Sequence, residues 1–275
     1  MKKTFWILLL LLCVLTGFSL YAGVFEKLIY SNRYRAITFE HYNTAVYDSI
    51  YIALPAGDFI KGIDISHHQG RIDWQRLKRS KDSIRFVLIK ATEGAQYTDP
   101  LFDNNWMEAK KAGLKCGAYH FFRADRPIAD QISLYIRTVP LSKNDWIPVL
   151  DFEQTGNLSN DSINVMLKQW LFAIERHYRK QPVIYTNKRL YKSVVKPAFS
   201  HYPLWLAHYD TINPSAIKQI GDWQIWQLSD RAKINGIETG VDYNLMRNDS
   251  IGQLFLNRQS GVDLVYPASY LSSHN

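Results

Sequence analysis

The chain has 275 residues, with 33 Lys and Arg against 25 Asp and Glu for a formal charge of +8, and is 47% hydrophobic and 21% charged. That composition excludes disorder over most of the length, and the length suffices for a sizeable core in one large domain or two small ones. Two cysteines, Cys13 and Cys116, exclude a disulfide framework and a structural zinc site of about four clustered ligands, so no bridge, metal or cofactor is expected.

Lys2 and Lys3 precede an uncharged stretch from Thr4 to Phe25. At about 1.5 Å per residue it reaches roughly 33 Å, enough to cross a bilayer core of about 30 Å. A cut after Ala22 would put bulky Leu20 at the −3 position, which suits a signal peptidase poorly. Residues 1–25 are therefore read as a membrane anchor, with cleavage of residues 1–22 and secretion as the alternative. Either way the lysines stay inside and the rest is exported. Nucleic acid is not an expected partner in that setting. An anionic envelope polymer fits the mild basic balance, which serves solubility equally well.

Residues 26–59 are polar with scattered aromatics and read as a connector. From Phe59 onward apolar, β-rich runs recur at Phe59–Ile65, Phe86–Ala91, Cys116–Phe122, Ile147–Phe152, Pro182–Thr186, Leu204–Tyr209, Trp223–Leu228 and Val241–Met246. Helical patterns separate the early ones. One opens at Asp99-Pro100 as cap and first helical position, and carries Phe102, Trp106 and Ala109. A second starts near Asp125 with Ile128, Ile132, Ile136 and Val139. A third runs from about Ser159 to Tyr178 with Ile163, Leu167, Trp170, Leu171 and Ile174 on one stripe. Alternating βα units that lose their helices after the fifth strand predict an α/β fold. The expected form is an irregular TIM-like (β/α) barrel of about eight strands with an incomplete helical ring. It is placed over residues 60–252, with a loosely ordered tail over 253–275, and a monomer is expected.

Catalytic groups in such a barrel come from the C-terminal ends of its strands. Ile147-Pro148-Val149-Leu150-Asp151-Phe152-Glu153 ends an apolar strand in two acids on one face, with Cα atoms roughly 6.5 Å apart by strand geometry. Two acids that close repel when both are ionised, so one should stay protonated. Asp64 is flanked by Ile63 and Ile65 within a strand, a costly place for an unpaired charge. His67 and His68 follow; on an extended chain they point opposite ways, which suits a loop or a substrate contact better than a metal. Asp242, in Gly240-Val241-Asp242-Tyr243-Asn244, falls on the last strand, beside the first if the barrel closes; a structural aspartate is an equal reading. Lys90 closes the second strand and could steady the acids, while Glu93-Gly94 reads as a turn.

Taken together, Gly62-Ile-Asp-Ile-Ser-His-His-Gln-Gly70, Lys90-Ala-Thr-Glu-Gly-Ala-Gln-Tyr-Thr-Asp99, Gly117-Ala-Tyr-His-Phe-Phe122, Asp151-Phe-Glu153, Tyr185-Thr186, Leu204-Trp-Leu-Ala207 and Val241-Asp-Tyr-Asn244 resemble glycoside hydrolase family 25, the Chalaropsis-type lysozymes. The resemblance runs from about Lys61 to Met246. It implies an irregular barrel and hydrolysis of the β-1,4 bond from N-acetylmuramic acid to N-acetylglucosamine in peptidoglycan. It further implies that Glu153 is the proton donor and Asp151 the assisting carboxylate. Both lie on one strand and approach the sugar from one side, so a retaining mechanism assisted by the substrate's own 2-acetamido group is expected, with Asp64 or Asp242 as nucleophile the alternative. Asp64 and Asp242 would complete the acidic cluster, and Tyr119, Tyr185 and Trp205, with Lys90, would line the sugar groove. Two rival readings are a non-catalytic peptidoglycan-binding module and a hydrolase of another acetamido-sugar polymer.

Overall fold

The computed structural model describes residues 42–47, 50–55, 59–142, 145–209 and 213–250. The stretches read as anchor (1–25) and tail (253–275) lie outside the described residues, as does Cys13. Among the described residues no helix is long and apolar enough to cross a membrane, and Cys116 is a buried free thiol.

Two strands, β1 (Tyr42–Tyr47) and β2 (Ile50–Pro55), fall within the stretch read as a connector. The barrel begins at β3 (Phe59–Ile65) and continues through β4 (Phe86–Glu93), which forms a hairpin with the short β5 (Tyr97–Thr98). It then takes in β6 (Lys115–Phe121), β7 (Pro148–Asp151), β8 (Val183–Asn187), β9 (Leu204–Ala207), β10 (Ile225–Ala232) and β11 (Val241–Arg247). The seven strands β3, β4 and β6 to β10 run parallel, and β11 is antiparallel to both β10 and β3, closing the ring of eight. Past Gln227, β10 outruns β9, and β1 pairs with it antiparallel at Tyr47 and Ala232.

Parallel barrel strands are covered on both faces, which is why their sequences are nearly continuous apolar runs. Outward residues such as Val87, Ile89 and Ile184 pack under the helices, while Phe86, Leu88, Val149, Val183, Ile225 and Met246 fill the interior. Two glycines make room for that filling. A Cβ on Gly62 would lie 2.3 Å from the Phe86 ring, and one on Gly117 would lie 2.6 Å from the Leu88 methyl, so the interior tolerates no side chain at either place.

The helices follow α1 (Trp74–Arg79), α2 (Phe102–Lys111), α3 (Ile128–Thr138) and α4 (Asn160–Tyr178). In α4 the Ser159 hydroxyl caps the first turn, and Ile163, Leu167, Trp170, Leu171 and Ile174 form the buried stripe. After β8 the ring thins to short turns, α5 (Lys188–Leu190), a π-helical turn at Tyr191–Val195 and α6 (Lys196–Phe199), and then α7 (Pro214–Lys218) after β9. Two helix starts differ from the sequence reading. α3 begins at Ile128, after Pro127 rather than near Asp125. α2 begins at Phe102 with no side-chain cap, because the Asp99 carboxylate is engaged elsewhere: one oxygen takes the Leu101 N–H and the other takes His67.

Candidate active site

The interior side chains change character at the C-terminal end of the barrel. Beneath, the layer is apolar; at the mouth, the same inward positions carry Asp64, Lys90, Tyr119, Asp151, Tyr185 and Gln227. A cavity of about 260 Å³ opens there, and it is lined by all four carboxylates anticipated from the sequence, Asp64, Asp151, Glu153 and Asp242, together with Lys90, Tyr119, Tyr185 and Trp205. Tyr119, Tyr185 and Trp205 are nearly buried, so they form walls rather than open platforms.

Barrel closure sets Asp64 of β3 directly opposite Asp242 of β11. Residues paired this way lie about 4.5–5.5 Å apart at Cα, with side chains on one face. Two carboxylates so close in a buried place cannot both ionise at neutral pH. The surroundings decide which one keeps the proton. Asp64 Oδ2 accepts from Asn244 Nδ2 at 2.6 Å and from Gln227 Nε2 at 2.9 Å. Burial pushes Asp64 up to about 6, held in check by hydrogen bonds from Asn244, Asp242 and Gln227. Among the described residues no such amide donor reaches Asp242; burial first, then the Asp64 charge, pushes it to about 10. Asp242 therefore holds the proton and donates it to Asp64.

The amides that hold Asp64 are themselves held. Tyr185 and Tyr209 hydroxyls donate to Gln227 Oε1 at 2.7 and 2.5 Å, and Trp205 Nε1 donates to Asn244 Oδ1 at 2.8 Å. Each amide oxygen is thus fixed as an acceptor, which turns its NH₂ group toward the carboxylate. Sequence reasoning missed Gln227 and Tyr209, and it quoted Asn244 only within a motif. Gln227 stands between Trp226 and Leu228 in an apolar strand, the same signal that singled out Asp64.

Asp151 ends β7 and is buried, and its Oδ1 has no hydrogen-bond partner among the described residues. Burial raises its carboxyl well above the ordinary range, the Glu153 charge adds to this, and Lys90 opposes it. Glu153 lies two residues on, at the open rim. Partial burial raises its carboxyl too, against a Tyr185 hydrogen bond and the Lys90 charge. Lys90 Nζ itself pairs with Glu93 Oε2 at 2.7 Å. Glu93 is therefore the last residue of β4 and a partner of Lys90 rather than turn chemistry; the turn starts at Gly94, whose φ is +54°.

The two histidines also depart from the sequence reading. Ser66 caps a 3-10 turn at His67–Gln69, so the rings do not diverge but lie together, with centroids 4.0 Å apart and planes tilted by 37°. His68 lines the cavity, and the His67 ring is bonded to Asp99. Among the described residues no three His, Cys, Asp or Glu side chains are grouped to hold a metal ion.

Residues 63–237 match the family model for glycosyl hydrolases family 25. The chain belongs to glycosyl hydrolase family 25. It is 35% identical over 257 residues to the YegX protein of Escherichia coli O6:H1, covering 92% of this chain and 93% of that one. Lysozyme M1 of Streptomyces globisporus is 29% identical over 198 residues, 67% of each chain. Among solved structures, a family 25 glycosyl hydrolase from Bacillus anthracis superimposes with a TM-score of 0.66 at 28% identity, over 80% of this chain and 99% of that one. The acidic mouth just described is thus the mouth of a family 25 barrel.

The shared proton makes stability pH-dependent. Both acids bind protons more tightly folded than unfolded, so the fold loses stability as pH rises from the ordinary 3.8 through about 6 and toward 10. Asp242→Asn supplies an amide donor to Asp64 and leaves no second charge to bury. We expect its thermal unfolding to vary less than the parent's between about pH 5 and 9, with a melting temperature at pH 8 higher by about 2–4 °C, the shift made by ~1 kcal/mol in a domain of this size. Equally steep profiles for the two chains would contradict the shared proton.

Proposed function

We propose that this glycoside hydrolase is a muramidase that cleaves the β-1,4 bond from N-acetylmuramic acid to N-acetylglucosamine in peptidoglycan. The observation that carries the reading is the acidic cluster, with Glu153 at the rim beside the buried Asp151, at the mouth of a family 25 barrel. The similarity to Lysozyme M1 supports the substrate.

Glu153 protonates the glycosidic oxygen as the bond to C1 breaks. The carbonyl oxygen of the sugar's own 2-acetamido group attacks C1 from the opposite face, giving an oxazolinium ion. Water then adds to C1 and returns its proton to Glu153, with net retention. Asp151 receives the acetamido N–H on its carboxylate. That contact favours the Asp151 anion, whose negative charge in turn favours the protonated form of Glu153, the form that donates. Asp64 supports substrate assistance by being an unsuitable nucleophile: one of its oxygens already accepts two amide hydrogen bonds. Asp242, protonated, is no better.

Glu153→Gln keeps the shape and removes the proton. Release of reducing ends from purified peptidoglycan should fall by about 10²–10⁴, the usual contribution of general acid catalysis. Asp151→Asn should lower kcat more than it raises KM, because its charge counts most as the cation forms. Near-normal turnover by Glu153→Gln would refute the acid assignment. Parent activity on chitin that exceeds activity on peptidoglycan would move the reading to another acetamido-sugar polymer.

Peptidoglycan lies outside the cytoplasm, which agrees with export through the N-terminal stretch. We place the barrel outside, attached through residues 4–25, and treat it as a monomer. Fractionation of the tagged full chain should find it with the membrane, and a soluble product starting near Gly23 would show a cleaved signal instead.

A further inference from the structure

The cavity is small for its proposed task. At about 260 Å³ it lies below the usual range of ligand sites, roughly 300–1,000 Å³, whereas a glycan strand is a polymer. The strand must therefore leave the cavity over a lip.

One lip carries exposed rings. His68 is exposed and lines the cavity; His67 lies against it at a 37° tilt and is about one-third exposed; Tyr97 follows, 6.0 Å from His67 between ring centroids, tilted by 58° and 39% exposed. The Tyr97 hydroxyl lies 3.2 Å from His67 Nδ1, and the Tyr97 ring borders Lys90, which itself faces the cavity. The three rings thus form a continuous shelf from the catalytic mouth outward.

The shelf is held more firmly than exposed side chains ordinarily are. A carboxylate with no exposed surface, Asp99, spends one oxygen on both the backbone N–H and the ring of His67, at 3.0 and 2.8 Å. Its other oxygen takes the Leu101 N–H at 3.0 Å. The capping box of Ser66 and Gln69 fixes the turn that bears both histidines, and Gln69 is tied to the Gly240 carbonyl at the start of the neighbouring β11. Tyr97 is held by the β4–β5 hairpin. A buried charge committed to an exposed imidazole adds little to a core, but it does keep a recognition surface in one shape.

We propose that Tyr97, His67 and His68 form a glycan-binding subsite outside the catalytic cavity, taking a pyranose ring of the strand beyond those at the reacting bond. Rings of this kind bury the apolar face of a sugar, while the imidazoles offer polar atoms to its hydroxyls. The proposal rests on the muramidase reading.

The test measures Kd for soluble peptidoglycan fragments of two, four and six sugars, on chains that also carry Glu153→Gln so that the fragments survive. With the shelf intact, affinity should rise about tenfold or more with length. Tyr97→Ala and His68→Ala should each remove most of that gain, and Tyr97→Phe, which keeps the ring, should retain it. If Tyr97→Ala and His68→Ala both keep the full length dependence while the parent chain cleaves peptidoglycan, the shelf is refuted and the muramidase reading stands. If the parent chain does not cleave peptidoglycan, the reading fails and the subsite with it.

Discussion

The structure turns on the confinement of negative charge. Closing the barrel places Asp64 and Asp242 side by side near the buried Asp151, with Glu153 at the open rim of the same mouth. A low dielectric raises the cost of each buried charge and the repulsion between them. The fold meets this cost in three ways: a proton held on Asp242, amide donors on Asp64, and the Lys90 cation near Asp151 and Glu153. The result is a site that carries protons at a pH where ordinary carboxylates have lost them, and that is what a general acid requires.

The rest of the barrel supports that arrangement. The apolar layer beneath the mouth excludes water from below, and Gly62 and Gly117 admit the large rings and methyls that fill it. Above it, each polar group is fixed by another. Trp205 orients Asn244, two tyrosines orient Gln227, and both amides then face Asp64. A network in which nearly every member is satisfied holds a single geometry, and the exception is instructive. It is the Asp151 Oδ1 oxygen, buried and with no partner among the described residues, where burial favours the neutral carboxyl over the anion.

Much of this was legible in the sequence because the signals were local. Apolar runs at βα spacing announced the barrel, and the Ser159 cap with its stripe announced the longest helix. Acids at strand ends, Asp151 and Asp64 above all, stood out against apolar neighbours. What escaped depended on contacts between distant residues. No pattern around Asp99 reveals that its carboxylate reaches His67, 32 residues away, in place of capping a helix. Reading His67 and His68 as extended chain inverted their geometry, since the 3-10 turn depends on Ser66 and Gln69 bonding across it. Gln227 carried a signal as clear as that of Asp64, but its partner lies 163 residues away.

The account depends on protons staying on this cluster at neutral pH. Carbon NMR of the side-chain carboxyls, titrated from about pH 3 to 10 and assigned by single Asp→Asn and Glu→Gln variants, reads this directly. Asp242 should remain protonated at pH 7, Asp64 should titrate near 6, and Asp151 and Glu153 should titrate above their ordinary 3.8 and 4.5. Four carboxyls that all titrate between about pH 3 and 5, as exposed acids do, would contradict it.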